Sequence, residues 1–284
     1  MKNLLVKGAK RMYKILDKRA LNKDVDLFVI EAPLVAKNTK AGNFVIVRVD
    51  KFGERIPLTI VDNDDSTITI ISQKVGFSTK LLSQKHIGDS LEDVVGPLGK
   101  AIEVEQVKTL LAIAGGVGAA PIYPQLKAYY NQGTKIDLIL GASDKEHLIL
   151  LDEFKAVCNE VYLATDDGSI GTKGFVTEVL KNITSEKTYD KAIAIGPLIM
   201  MKNVVNYNKT ISLKTDVSLN PIMIDGTGMC GNCRITMNGK TYFACVDGPD
   251  FPGEGIDFDE IMSRQSYYRD KEHQCNLRIG EKDD

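Results

Sequence analysis

Three cysteines and one aspartate stand at a spacing that suits a metal–sulfide core. Cys230, Cys233 and Cys245 read C-x2-C-x11-C, and Asp225 occupies the place of the first cysteine in a plant-type iron–sulfur loop, giving D-x4-C-x2-C-x11-C. Glycines at 226, 228, 231 and 239 surround these positions. A loop wrapped around sulfide must turn sharply and aim backbone N–H groups at sulfur, which residues carrying a Cβ resist. Three thiolates and a carboxylate supply the four anionic ligands that a [2Fe-2S] rhomb takes. Zinc is the competing reading, because C-x2-C also opens structural zinc sites; here, however, the third cysteine stands alone and no histidine is close. Three buried cysteines without metal form the third alternative, and a Gly-rich loop buries little.

Two further stretches could hold phosphates. Gly115-Gly-Val-Gly118 follows the apolar run Thr109-Leu-Leu-Ala-Ile-Ala and precedes an amphipathic segment over 122–131, which starts after Pro121. Such a strand–turn–helix junction lets a phosphate approach the backbone at a helix N-terminus. Gly76-Phe-Ser-Thr-Lys80 opens a second short helix, where Ser78 and Thr79 could meet a pyrophosphate; Arg55 lies upstream on the strand Arg55-Ile-Pro-Leu-Thr59. The bland alternatives are an ordinary turn at Gly76 and a solvated strand-end charge at Arg55. Asp144, just past the strand 135–141, is placed to accept from a ribose hydroxyl and to repel a 2′-phosphate, which leans toward NAD over NADP; a solvated loop carboxylate is the alternative.

Positioning these groups takes more than one core. The chain has 284 residues, 43% hydrophobic and 26% charged, with a net charge of −2, as for an ordinary soluble globular protein with no bias toward nucleic acid or a lipid surface. The opening residues lack the apolar stretch of a signal peptide, and the longest apolar run, 110–123, is too short and Gly-broken to span a bilayer. A cytoplasmic protein is expected, and cysteines gathered in one loop suit a reducing compartment. Cys158 reads as a helix-packing thiol and Cys275 as a tail residue. The three histidines, at 86, 147 and 273, share no motif, and no acid–base triad or nucleophile is expected.

Residues 1–104 carry short β-branched runs (27–30, 44–49, 56–61 and 66–71) separated by turn residues, the pattern of a small antiparallel barrel, with Gly96-Pro-Leu-Gly99 as the stop before the next unit. Residues 105–217 alternate strands and helices (135–141, 151–158, 160–165, 175–181, 191–196), which predicts a doubly wound parallel sheet with its ligand at the carboxyl ends of the strands. Residues 218–284 hold the cysteine loop and a C-terminal helix over 257–269. The fold class is therefore multi-domain, β plus α/β, with a small iron–sulfur domain at the C-terminal end.

A flavin-type barrel, a nicotinamide-type α/β unit and a ferredoxin-like loop, in that order along the whole chain, resemble the ferredoxin–NADP reductase superfamily. Within it the chain is similar to electron-transfer subunits of dihydroorotate dehydrogenase and, more so, to small subunits of NADH-dependent reduced ferredoxin:NADP oxidoreductases, a family that also includes sulfide dehydrogenase subunits. Asp225, the Arg55–Thr59 strand and the tail Ile256-Asp-Phe-Asp-Glu-Ile-Met carry that choice; the dihydroorotate relatives use four cysteines. The resemblance implies that Pro57, Leu58 and Thr59 pack on the flavin of FAD, with Thr59 near N5, and that Gly76, Ser78 and Thr79 meet its pyrophosphate. Relatives place an arginine where this chain has Ile56, so Arg55 is one residue displaced from that role. NAD(H) is implied at Gly115, Gly116, Gly118 and Pro121. The implied partner is a larger flavoprotein subunit with FAD, [4Fe-4S] clusters and NADP(H), working with ferredoxin in flavin-based electron bifurcation. Sulfide or polysulfide chemistry on that subunit, and service as the electron-transfer subunit of a dihydroorotate dehydrogenase, are the alternatives within the family, and a non-enzymatic zinc module the alternative outside it.

Overall fold

The computed structural model describes residues 13–267. Cys275, His273 and the expected helix end at Arg269 lie outside them. The β-branched runs of the N-terminal part pair into one antiparallel seven-stranded sheet. Its strands are β1 (Tyr13–Asn22), β2 (Val25–Glu31), β3 (Phe44–Arg48), β4 (Arg55–Asn63), β5 (Thr67–Gln73), β6 (Ser90–Leu91) and β7 (Asp93–Leu98), in the order β6-β1-β2-β5-β4-β3-β7. β6 and β7, at opposite ends of that order, are separated along the chain by Glu92 alone, so the backbone itself nearly closes the barrel. Ile15, Phe28, Ile30, Val45, Val47 and Ile70 fill its interior. The expected stop at Gly96-Pro97 lies inside β7, at the end of the sheet order, where a residue without an N–H is tolerated. Two short helices, α1 (Pro33–Ala36) and α2 (Phe77–Ser83), complete this part.

The α/β part is built on β8 (Thr109–Gly115), α3 (Ala119–Asn131), β9 (Lys135–Ala142), α4 (Leu151–Val157), β10 (Glu160–Thr165), β11 (Thr172–Lys173), α5 (Val176–Glu186), β12 (Lys191–Ile195), α6 (Leu198–Thr210) and β13 (Thr215–Ser218). Successive residues of β8 point to opposite faces of its sheet. Leu110, Ala112 and Ala114 join α3 and α4 in one core, whereas Leu111 and Ile113 join α5 and α6 in another. Burial on both faces is why the strand reads as an unbroken apolar run rather than an alternation.

The C-terminal segment contributes a hairpin, β14 (Arg234–Met237) and β15 (Lys240–Phe243), turned at Asn238-Gly239 with both φ values positive. It continues through α7 (Ala244–Asp247), β16 (Asp250–Pro252) and α8 (Phe258–Ser266), the last capped by Asp257 accepting from the Glu260 N–H. β16 pairs antiparallel with β13 and completes the sheet β11-β10-β9-β8-β12-β13-β16.

The three parts meet at Asp250. Its Oδ1 accepts from the Gln125 amide of α3 at 2.7 Å, while Oδ2 is buried without a partner close to Gly42 of the barrel. Burial pushes this carboxyl up to about 7, with hydrogen bonds from Gln125 and Ser218 opposing the rise and Asp216 adding to it. Nearby, the buried Lys191 ammonium is held between Glu105 and Asp216. An unfolded aspartate titrates near 3.9, so the folded state alone keeps the Asp250 proton between about pH 4 and 7. This contribution is complete below about pH 4 and is lost as pH rises to about 7, on the order of 4 kcal/mol in all. Asp250→Asn is therefore expected to flatten the fall of the urea midpoint between pH 4 and 7. An unchanged slope would place that pH dependence on another group.

Candidate functional site

The cysteine loop joins β13 to β14, and its donors lie in two pairs. Cys233 and Cys245 are buried with their sulfurs 3.2 Å apart; the Gly228 N–H points at Cys245 Sγ from 3.2 Å. The exposed Cys230 lies 3.4 Å from Asp225 Oδ1, and Asp225 Oδ2 accepts from the N–H groups of Met229 and Cys230. Burial pushes the Cys245 thiol up to about 12, and the neighbouring Cys233 thiol adds to the rise. Burial also works against ionisation of Asp225, but the hydrogen bonds from Thr227 and Cys230 outweigh it and hold the carboxyl below its usual range. Among the described residues, no three His, Cys, Asp or Glu side chains converge on a single metal position. Gly226, Gly228 and Gly231 all have positive φ, the conformation for which glycine was expected. A Cβ on Gly226 would lie 2.6 Å from Leu98 and 3.1 Å from Ile46, so the loop's first turn is seated on the barrel.

That seat is the face on which Thr59 and Pro57 lie. Phe44 pairs with Thr59 and Ile46 with Pro57 across β3 and β4, and directly paired residues share a face. Phe44 and Ile46 belong to the core that contains Cys233 and Cys245. Leu58 and Ile56 face the other way, into the barrel interior. Arg55 Nε donates to the Ile224 carbonyl at 2.9 Å, beside Asp225, and its guanidinium lies 3.7 Å from Asp93. Gly76 starts α2 as expected, but the hydroxyls after it are already engaged. Ser78 Oγ accepts from the Glu54 N–H, and Thr79 Oγ1 accepts from Val75 and Gly76. Thr79 also donates to the Gly76 carbonyl, whereas the Ser78 hydroxyl keeps its proton to donate.

At the carboxyl end of β8, Gly116–Gly118 forms a single 3-10 turn into α3, with Pro121 in the first helical turn, where a missing N–H costs nothing. The glycines differ in what they make room for. A Cβ on Gly115 would strike Met200, and one on Gly118 would strike the Ile195 carbonyl of β12; Gly116, at φ +56°, borders open space. Only Gly116 leaves its vacancy to a ligand. Asp144 sits at the end of β9 as expected, but Oδ1 caps the turn at 145–147 and binds His147 Nδ1 at 2.7 Å. His147 Nε2 reaches Asp24 of the barrel at 3.3 Å, and the hydrogen bonds from Asp144 and then Asp24 raise the imidazole above its usual range. The sequence reading missed this bridge, although an aspartate three residues before a histidine at a turn start is a recognisable cap signal. It also missed Phe44 and Ile46, whose run Phe44-Val-Ile-Val is apolar on both faces and so announces a strand covered on both sides.

Residues 220–257 match the iron–sulfur cluster binding domain of dihydroorotate dehydrogenase B, and residues 112–206 match the oxidoreductase NAD-binding domain. A dihydroorotate dehydrogenase B (NAD(+)) electron transfer subunit homolog of Thermotoga maritima is 44% identical, over 93% of this chain and 94% of that protein. This chain belongs to the family of such electron-transfer subunits, within the ferredoxin–NADP reductase superfamily. Another member of similar length, an uncharacterized protein of the adh 3′ region of Clostridium beijerinckii, is 46% identical over 95% of each chain. A chain from the structure of NADH-dependent reduced ferredoxin-NADP oxidoreductase, solved for insight into flavin-based electron bifurcation, is 42% identical and superposes with a TM-score of 0.90, covering 96% of this chain and 99% of that one. The expected β plus α/β architecture and oxidoreductase class agree with the family, as does its cofactor set of flavin, NAD and iron–sulfur. Among the described residues, no helix is long and apolar enough to cross a membrane.

Proposed function

We propose that this electron-transfer subunit passes electrons between NAD(H), FAD and a [2Fe-2S] cluster, and delivers them to a larger flavoprotein subunit that carries FAD, [4Fe-4S] clusters and NADP(H) and exchanges electrons with ferredoxin by bifurcation. The observation that carries this reading is the shared barrel face: Thr59 and Pro57 lie on the same surface as Phe44 and Ile46, which belong to one continuous core with Cys233 and Cys245, and Gly226 next to Asp225 is seated on Ile46. A flavin on that face and a cluster in the loop would be neighbours within one chain. In this reading the units are 1–104, 105–217 and 218–284.

The residues divide the work as follows. Asp225 with Cys230 and Cys233 with Cys245 form two ligand pairs, an arrangement that suits two irons with two ligands each better than one tetrahedral zinc. Pro57 and Thr59 offer the flavin a flat, partly open strand surface, with Leu58 contributing backbone. The turns at Gly76 and Gly116 present N–H groups to the two pyrophosphates, while Gly118 sets the second turn against the end of β12, Gly115 sets it against Met200 of α6, and Pro121 lies in the first turn of α3 that follows. Asp144 Oδ1 is taken by its cap and the His147 bond, whereas Oδ2 accepts only from the Ser143 hydroxyl at 3.3 Å, which leaves it room to accept from a ribose as well. Bound there, a flavin exchanges hydride as a two-electron unit while an iron–sulfur centre carries single electrons, which makes the chain a converter between the two currents. Ile224, Met229 and Val246 are exposed around the cysteine loop, with Met229 88% open, an apolar rim suited to a partner subunit.

The test is a visible and EPR spectrum of the anaerobically purified chain before and after NADH. The expected result is flavin bleaching together with a rhombic one-electron signal from a reduced [2Fe-2S] centre. Zinc in place of iron, or a flavin that bleaches with no such signal, would reject the relay.

A further inference from the structure

Arg55 ties the strand that carries Pro57 and Thr59 to the segment that starts the cysteine loop. Its Nε–H donates to the Ile224 carbonyl across 169 residues of sequence, and the next residue is Asp225. The guanidinium is only about one-third exposed, and Asp93 on β7, across the intervening strand β3, steadies it from 3.7 Å. Two residues farther, Gly226 rests against Leu98 and Ile46 so closely that a side chain would not fit. The barrel therefore grips the loop at two successive points, one polar and one apolar.

We propose that Arg55 is a positioning residue for the iron–sulfur centre: it fixes the Asp225 end of the loop against the flavin face and sets a positive charge beside the ligand shell. This rests on the reading of the loop as a [2Fe-2S] site. The sign of the effect follows from charge. Four anionic ligands and two sulfides leave such a centre negative, and one-electron reduction makes it more so. A guanidinium close by, in a partly desolvated place, favours the reduced form. Asp93 offsets part of that charge, but its carboxylate lies on the side of Arg55 held by β7.

The experiment compares wild type with Arg55→Gln, Arg55→Lys and Arg55→Ala in three readouts: EPR-monitored redox titration, FAD content per chain, and hydrogen exchange of the 224–228 amides in the metal-free chain. Arg55→Gln should shift the oxidised-to-reduced ratio at a fixed potential about tenfold toward oxidised, equivalent to about 59 mV for a one-electron couple. Arg55→Lys should restore most of that shift. Arg55→Ala should in addition speed exchange of the 224–228 amides about tenfold, with FAD content kept. FAD loss with an unmoved potential would return Arg55 to the pyrophosphate and overturn the proposal, as would a potential and an exchange rate that both ignore the substitutions. A wild-type chain with no [2Fe-2S] signal fails differently, because it removes the site itself.

Discussion

Cys245→Ala is expected to yield a yellow protein without a cluster: flavin absorbance stays, the low-temperature EPR signal after NADH disappears, and one-electron reduction of an acceptor falls at least a hundredfold. Cys245 is buried, its sulfur lies 3.2 Å from that of Cys233, and it receives the Gly228 N–H. Alanine leaves a cavity beside a lone thiol, and the remaining donors cannot fill a fourth coordination position. The flavin face is formed by β3 and β4, whose pairing involves no loop residue, so FAD should be retained. Asp225→Cys makes the complementary case. It restores a fourth thiolate, so the cluster should assemble with altered g-values and potential, because a carboxylate donates less covalently to iron than sulfur does. An unaltered spectrum and potential would take Asp225 out of the ligand set; a full EPR signal in Cys245→Ala would do the same for Cys245.

The second large effect belongs to Gly118. A methyl group there would run into the Ile195 carbonyl and the backbone at Gly196, which have no flexible end to swing aside. The turn at 116–118 and the end of β12 would have to separate, at a cost of roughly 3 kcal/mol, the upper range for overpacking. For a chain of this size that lowers Tm by roughly 6–12 °C. NADH binding should fall with it, since the same turn presents the N–H groups. Gly116→Ala is the control. At φ +56° with open space beyond, it carries only the left-handed strain of about 1–2 kcal/mol. Calorimetry and NADH titration of the two variants should rank them in that order. Equal stability of Gly118→Ala and wild type would refute the packing account.

What was readable in the sequence followed from range. The cysteine loop was legible because all but one of its donors fall within Asp225–Cys233, and its glycines announce the backbone they adopt. The run Thr109–Ala114 was legible because burial on both faces leaves a continuous apolar signature. Arg55 was placed on the correct strand, but its partner Ile224 is a carbonyl, which has no side-chain signature, and it is brought near only by the packing of the barrel on the loop. Asp250 was passed over for the same reason. Nothing local marks an aspartate as buried when the amide that meets it comes from a helix far earlier in the chain. The hydroxyls of Ser78 and Thr79 were read as ligand donors; their bonds to the Glu54, Val75 and Gly76 backbone were not legible, because short side chains next to a helix start also serve the backbone.

Because β16 closes on β13 through Ser218 opposite Asp250, the cysteine loop is an excursion between two strands already laced together. Its ends are fixed whether or not metal is bound, so assembling a cluster orders a tethered loop rather than docking a free module, and most of the closure entropy has been met by the sheet. Metal loss should then be a local event, with the loop slackening while both large sheets stand. By the same token the loop cannot be excised as a cassette: removing it with β16 would strip the sheet of its last strand and open β13 to pairing with other chains.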